Sequence, residues 1–176
     1  MSKRPPREYQ RPALQKSGLP LSGKALIELM QAVHAKGLPF RFRAGGHSMA
    51  PFIRDGDVIT VSPPASSAPG LGDVVAFIHP ETQLLCLHRV LSVNGKGFLM
   101  QGDNMPEIPD GMIPRDAIVG RVTRVERAGR RVRLGLGPER PLVALLSRCG
   151  GLAVIRRYAA PLYTRFSRSH GSCEKP

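Results

Sequence analysis

The chain has 176 residues, with 26 Lys and Arg against 13 Asp and Glu, a formal net charge of +13 and no Trp. That length suits one domain with a buried core plus tails. Its 19 Gly and 17 Pro are interleaved with short Val/Ile/Leu runs, which argues against a helix bundle and for turn-rich β structure.

The charge is unevenly placed. Residues 1–16 hold five basic residues and one acid, residues 17–120 eight and nine, and residues 121–176 thirteen and three. The centre is near neutral, and the basic ends are suited to attract phosphate. Cys86, Cys149 and Cys173 are widely spaced and odd in number. No C-x-x-C pair suggests zinc, no disulfide framework is indicated, and no cofactor motif is present. The N-terminus lacks the apolar core of a secretory signal, and no run of 18 apolar residues suggests a membrane span. Residues 141–163 come nearest, but Arg148, Gly150, Gly151, Arg156 and Arg157 interrupt them. Central arginines are costly in a bilayer, so this segment reads as an in-plane or docking helix. The expected location is cytoplasmic or peripheral to a membrane, with the basic C-terminal tail contacting anionic lipid.

In chain order, residues 1–20 are polar, basic and Pro-containing and read as a disordered tail. Residues 22–36 read as a helix, with Ser22 as N-cap and Leu26, Leu29, Met30 and Val33 at helical spacing. Gly37 and Pro39 end it. A single helix is too little for a helix-turn-helix module, so nucleic acid is not the expected partner. Phe40 to Arg43 alternates as a strand, and Gly45-Gly46 turns the chain to present Ser48. Strands are predicted over 57–61, 73–78 and 84–93, with a surface loop over 62–70. Asn94-Gly95-Lys96-Gly97 signals a hairpin returning through 98–101. Residues 102–114 read as a loop, 118–125 as a strand, and 131–136 as another after a turn at Ala128-Gly129. The fold class is mainly β, closed or partly open, with one N-terminal helix and a C-terminal helical tail. The expected division is a tail over 1–20, a folded domain over 21–136, and a basic, partly apolar tail over 137–176.

Three features carry chemistry. Ser48 follows a Gly-rich turn, where backbone freedom can expose a side chain and its amide. The amides of Ser48 and Gly46 are the candidate oxyanion donors. His88 shares one strand face with Leu84 and Cys86, and an imidazole suits proton abstraction near neutral pH. Asp103 and Asp110 follow, each able to orient the ring or to make turn contacts instead. Asp55 and Asp57 read as turn residues. Among other histidines, His47 adjoins the serine and points away from it, His34 belongs to the helix, His79 to a strand end and His170 to the tail.

Taken together, these segments resemble a known superfamily. Gly46-His47-Ser48-Met49-Ala50-Pro51-Phe52-Ile53-Arg54-Asp55-Gly56-Asp57-Val58 resembles the nucleophile motif of type I signal peptidases and of self-cleaving SOS repressors. Gly72 to Phe77 resembles the strand that follows. His88-Arg89-Val90 is similar to the segment where bacterial signal peptidases carry a catalytic Lys and the archaeal and endoplasmic-reticulum type carries His. Gly102-Asp103-Asn104 with Asp110, and then Ile118 to Val122, resemble the last boxes. The resemblance spans about residues 40–125. It implies a β peptidase fold with Ser48 as nucleophile, His88 as general base, and Asp110 or Asp103 as the orienting acid, with Asp110 favoured. It also implies a polypeptide substrate cut after a small residue.

Two departures stand out. Signal peptidases usually have Ser-Gly-Ser before Met, whereas Gly46-His47-Ser48 is closer to the repressor branch and leaves the oxyanion to backbone amides. The repressor branch uses a Lys, but Lys96 falls in a hairpin turn. The usual hydrophobic anchor helix is not evident. A self-cleaving regulator and a non-catalytic membrane- or partner-binding module on the same fold are the alternative readings. Self-cleavage at Ala44-Gly45 would have to occur three residues from Ser48.

Overall fold

Eight strands form one antiparallel sheet in the computed structural model, which describes residues 23–64, 68–105 and 109–148. They are β1 (Phe40–Arg43), β2 (Val58–Ser62), β3 (Val74–Ile78), β4 (Leu85–Asn94), β5 (Gly97–Gln101), β6 (Met112–Ile113), β7 (Ile118–Arg127) and β8 (Arg130–Val132). The order is β1-β2-β7-β3-β4-β5-β6, with β8 also paired to β7. Helix α1 (Gly23–His34) precedes the sheet and α2 (Arg140–Arg148) follows it. The expected mainly β class with one helix at each end is what the chain adopts.

The sheet is buried on both sides at its centre. Val74, Val75, Ala76 and Phe77 of β3 are all buried. Alternation sends Val74 and Ala76 into one core cluster, with Met30, Met49, Ile53 and Val125, and Val75 and Phe77 into a second, with Val90, Phe98 and Met100. A continuous apolar run, rather than an alternating one, is therefore what β3 requires. Helix α1 closes the first cluster through Met30 and through His34, whose ring nitrogens lie 3.0 Å from the Val119 carbonyl and 3.1 Å from that of Val61.

Two expectations need revision. The strand predicted over 131–136 is shorter: β8 ends at Val132, and residues 134–136 turn. The 102–114 segment, read as a loop, contributes the two-residue β6, which pairs with β5. The part of the C-terminal tail that is described belongs to the folded body. Val143, Ala144 and Ser147 of α2 are buried, and Arg140 pairs with Asp73 at 2.9 Å. No helix among the described residues is long and apolar enough to cross a membrane. The expectations for residues 1–22 and 149–176, including the Ser22 cap, His170 and lipid contact by the far C-terminus, lie outside the described residues.

Candidate active site

Residues 44–57 form a closed loop between β1 and β2. The Ala44 N–H donates to the Asp57 carbonyl at 2.7 Å, and the Gly56 N–H donates to the Ala44 carbonyl at 2.9 Å. Gly46 takes φ +91°, a conformation that favours glycine, and its N–H donates to Asp55 Oδ1 at 3.0 Å. From Ser48 the chain makes a helical turn closed by Ile53 N–H to Met49 O at 3.0 Å. Met49, Phe52 and Ile53 are buried, which anchors the turn and leaves Ser48 half-buried at its start. His47 is exposed.

Asp57 fastens the far end of the loop. Its carboxylate accepts from Arg54 N–H at 2.8 Å and from Arg127 Nε and Nη2 at 2.9 and 2.7 Å. Burial pushes the Asp57 carboxyl up, but these hydrogen bonds and the two guanidinium charges outweigh it, so it sits below its ordinary range.

His88 lies on β4, 7% exposed, with Phe77 5.8 Å away between ring centroids. Its Nδ1 is bonded to Asp110 Oδ2. An ionised carboxylate only accepts, so this bond places a proton on Nδ1, and in the neutral ring Nε2 then holds the lone pair. Asp110 is itself held, because its N–H donates to the Met100 carbonyl of β5 at 3.0 Å. The Cys86 thiol, two residues before His88, is pushed up to about 11 by burial and then by the Asp110 charge. It stays a neutral thiol at physiological pH.

Gly102 brings the two segments together. A Cβ there would stand 3.2 Å from His88 Nε2, 3.2 Å from Ser48 Cβ and 2.7 Å from the Ser48 carbonyl oxygen. Ser48 Cβ and His88 Nε2 are thus separated by no more than twice 3.2 Å, with only the hydrogen of a glycine beside the gap. Among the described residues no hydrogen bond yet joins Ser48 Oγ to the ring. The Ser48 carbonyl accepts from Asn104 N–H at 2.8 Å, and the Ser48 amide has no acceptor among the described residues.

Asp103 is occupied elsewhere. It is buried and makes a two-pronged pair with Arg89, Nε to Oδ1 at 2.8 Å and Nη2 to Oδ2 at 2.7 Å. Ser147 Oγ donates to its Oδ1 at 3.3 Å. Arg89 Nη1 donates to the carbonyls of Gly72 and Gly135 at 2.8 and 2.7 Å, so each of the three guanidinium nitrogens is engaged. Of the two aspartates, Asp110 faces His88, and Asp103 instead fixes the strand and loop around it. Of the two candidate oxyanion amides, that of Gly46 donates to Asp55 Oδ1, and that of Ser48 has no acceptor among the described residues.

Reading residues singly passed over Arg89, Gly102, Asn104 and Ser147. A buried arginine beside the candidate histidine, and an acid in the next Gly-Asp-Asn segment, were a possible signal for the first pair. Nothing local marks Ser147. Of the other described histidines, His34 bonds to the sheet, His79 Nδ1 accepts from the Glu81 and Thr82 amides, and His47 is exposed. Lys96 is exposed in the β4–β5 turn, as its hairpin context implied.

No curated protein matches the chain by sequence. A family model, Peptidase S24-like, matches residues 17–123, a span that takes in Ser48, His88, Gly102 and Asp110. With more than half of its length covered by that model, and with the β architecture described above, this chain belongs to the Peptidase S24-like family.

Proposed function

We propose that the protein is a serine endopeptidase of signal-peptidase type, with Ser48 as nucleophile, His88 as general base and Asp110 as the residue that orients the ring. The observation that carries this reading is the line from Asp110 through His88 to Ser48, with Gly102 keeping the space between ring and serine clear. Rotation about the Ser48 Cα–Cβ bond brings Oγ toward Nε2, a contact that tightens when substrate is bound.

The steps follow from that arrangement. Nε2 takes the Ser48 proton as Oγ bonds to the scissile carbonyl carbon. The imidazolium is stabilised by Asp110, and the oxyanion lies against the Ser48 amide. The tetrahedral intermediate collapses, the C–N bond breaks, and His88 gives its proton to the leaving amine. Water then enters, loses a proton to Nε2 and adds to the acyl carbon; the ester C–O bond breaks, the acid product leaves, and His88 returns the proton to Oγ, which restores Ser48. Cleavage after a small residue is what the resemblance to signal peptidases implies for this site.

Fluorophosphonate labelling of the wild type, Ser48→Ala and His88→Ala tests the assignment. Labelling confined to the wild type is expected, and equal labelling of all three would overturn it. A self-cleaving regulator is the second reading, since the Gly46-to-Val58 motif also resembles that of self-cleaving repressors. Ala44 disfavours cleavage at Ala44-Gly45, because it is buried and both its N–H and carbonyl are bonded. An intact mass that stays unchanged on long incubation at raised pH is the expected result.

A further inference from the structure

One face of the sheet is predominantly cationic. Alternation turns Phe40, Phe42, Ile59, Val61, Val125 and Val132 toward the first core cluster. The residues between them point outward. Arg41 stands opposite Thr60, which stands opposite Arg124. In the next row Arg43, Val58, Glu126 and Arg131 lie side by side across β1, β2, β7 and β8. Glu126 is the acid in these rows, and it is already bonded to Arg41 and Arg124. Among the described residues no carboxylate pairs with Arg131 or Arg133.

An open groove of about 500 Å³ adjoins this face. It lies where one edge of β7 passes from β3, which pairs as far as Arg121, to β8, which pairs from Val125. Thr123, Arg131 and Arg133 give it a polar rim, Leu134, Leu136 and Pro138 an apolar wall, and Glu139 also lines it, its Oε1 held by the Gly135 and Gly137 amides. Leu134 is 64% exposed. Arginines beside an exposed apolar side chain fit a ligand with phosphate at one end and hydrocarbon at the other.

We propose that this face and groove dock on an anionic phospholipid surface, Arg131 and Arg133 meeting headgroup phosphates and Leu134 entering the interfacial layer. Nucleic acid fits less well. Single strands need aromatic stacking platforms, and Phe40 and Phe42 face the core. Duplex readers commonly insert a helix, but α1 buries Met30 in the core and α2 packs on β4. The proposal assigns membrane contact to the folded body, and it does not depend on the catalytic assignment.

The test is sedimentation of the full chain with vesicles of phosphatidylcholine, with and without phosphatidylglycerol. Wild type should sediment with the anionic vesicles only and be released by salt. Arg131→Glu with Arg133→Glu should weaken binding by at least about tenfold, and Leu134→Ser should weaken it while leaving the salt dependence unchanged. Melting temperature and fluorophosphonate labelling should match wild type, which separates lost docking from unfolding and from any failure of the peptidase reading. A second full-length variant converts Arg156, Arg157, Arg165 and Arg168 to Gln. If that variant alone loses binding and the Arg131/Arg133 variant binds normally, the proposal is wrong. It is equally wrong if wild type binds neither vesicle, binds neutral vesicles as well, or prefers a DNA duplex.

Discussion

The Asn104 N–H donates to the Ser48 carbonyl at 2.8 Å, joining the Ser48 turn to a segment more than fifty residues later. Asp103 immediately before Asn104 is clamped by Arg89, and Arg89 follows His88 in β4. Serine and histidine are therefore positioned from one rigid cluster rather than by two independent loops. Preorganisation of this kind is what general-base catalysis needs, because misplacement by about 1 Å can cost about a hundredfold in rate.

Asp110→Asn is expected to lower the rate of labelling and of peptide cleavage by about a hundredfold or more, with little change in melting temperature. The amide can offer its N–H to Nδ1 and favour the wrong tautomer, with Nε2 protonated. Asp103→Asn, measured beside it, should lose mainly stability, because Asp103 contacts Arg89 and Ser147 rather than the ring.

Gly102→Ala places a methyl group 3.2 Å from both Ser48 Cβ and His88 Nε2 and 2.7 Å from the Ser48 carbonyl. The loop has to move, and the Ser–His approach is obstructed. A loss of about a hundredfold in labelling rate is expected, with a cost of about 1–3 kcal/mol in stability. Unchanged kinetics would show that the gap beside Gly102 is not on the proton's path.

Arg89→Met leaves Asp103 buried without its partner and should destabilise the fold by about 3–5 kcal/mol in urea titration. Arg89→Met combined with Asp103→Leu should recover part of that loss, since no uncompensated charge is then buried.

The Asp57 carboxyl sits below its ordinary range in the folded chain. Its contribution is therefore complete above the unfolded carboxyl value and is lost as pH falls through the folded one. Urea midpoints measured from about pH 7 down to about pH 2 should fall on the acid side, and Asp57→Asn should flatten that limb while lowering the neutral midpoint. A limb of the same slope in the variant would assign the acid sensitivity to other carboxyls.

Cys86, pushed up to about 11 by burial and by Asp110, should resist iodoacetamide in the native chain at mildly alkaline pH. Peptide mapping after alkylation, native against urea-unfolded, gives the measurement for this cysteine alone. Rapid native labelling would mean that the site opens readily.

Much of the fold was legible from local pattern. The alternation in β1, the apolar run of β3 and the Asn94-Gly95-Lys96-Gly97 turn each follow from side-chain periodicity or from turn chemistry confined to a few neighbours. The order of Ser48, His88 and the two aspartates was legible as well. What local pattern leaves open is which of two similar aspartates faces a ring, because that depends on contacts far apart in sequence. Only the tertiary structure gives Asp103 to Arg89 and Asp110 to His88, occupies the Gly46 amide with Asp55, and joins Ser147 of an expected tail to the same buried cluster. The sequence determined the strands and the candidate chemical groups through short-range forces. Close packing and the need to pair every buried charge decided which groups meet.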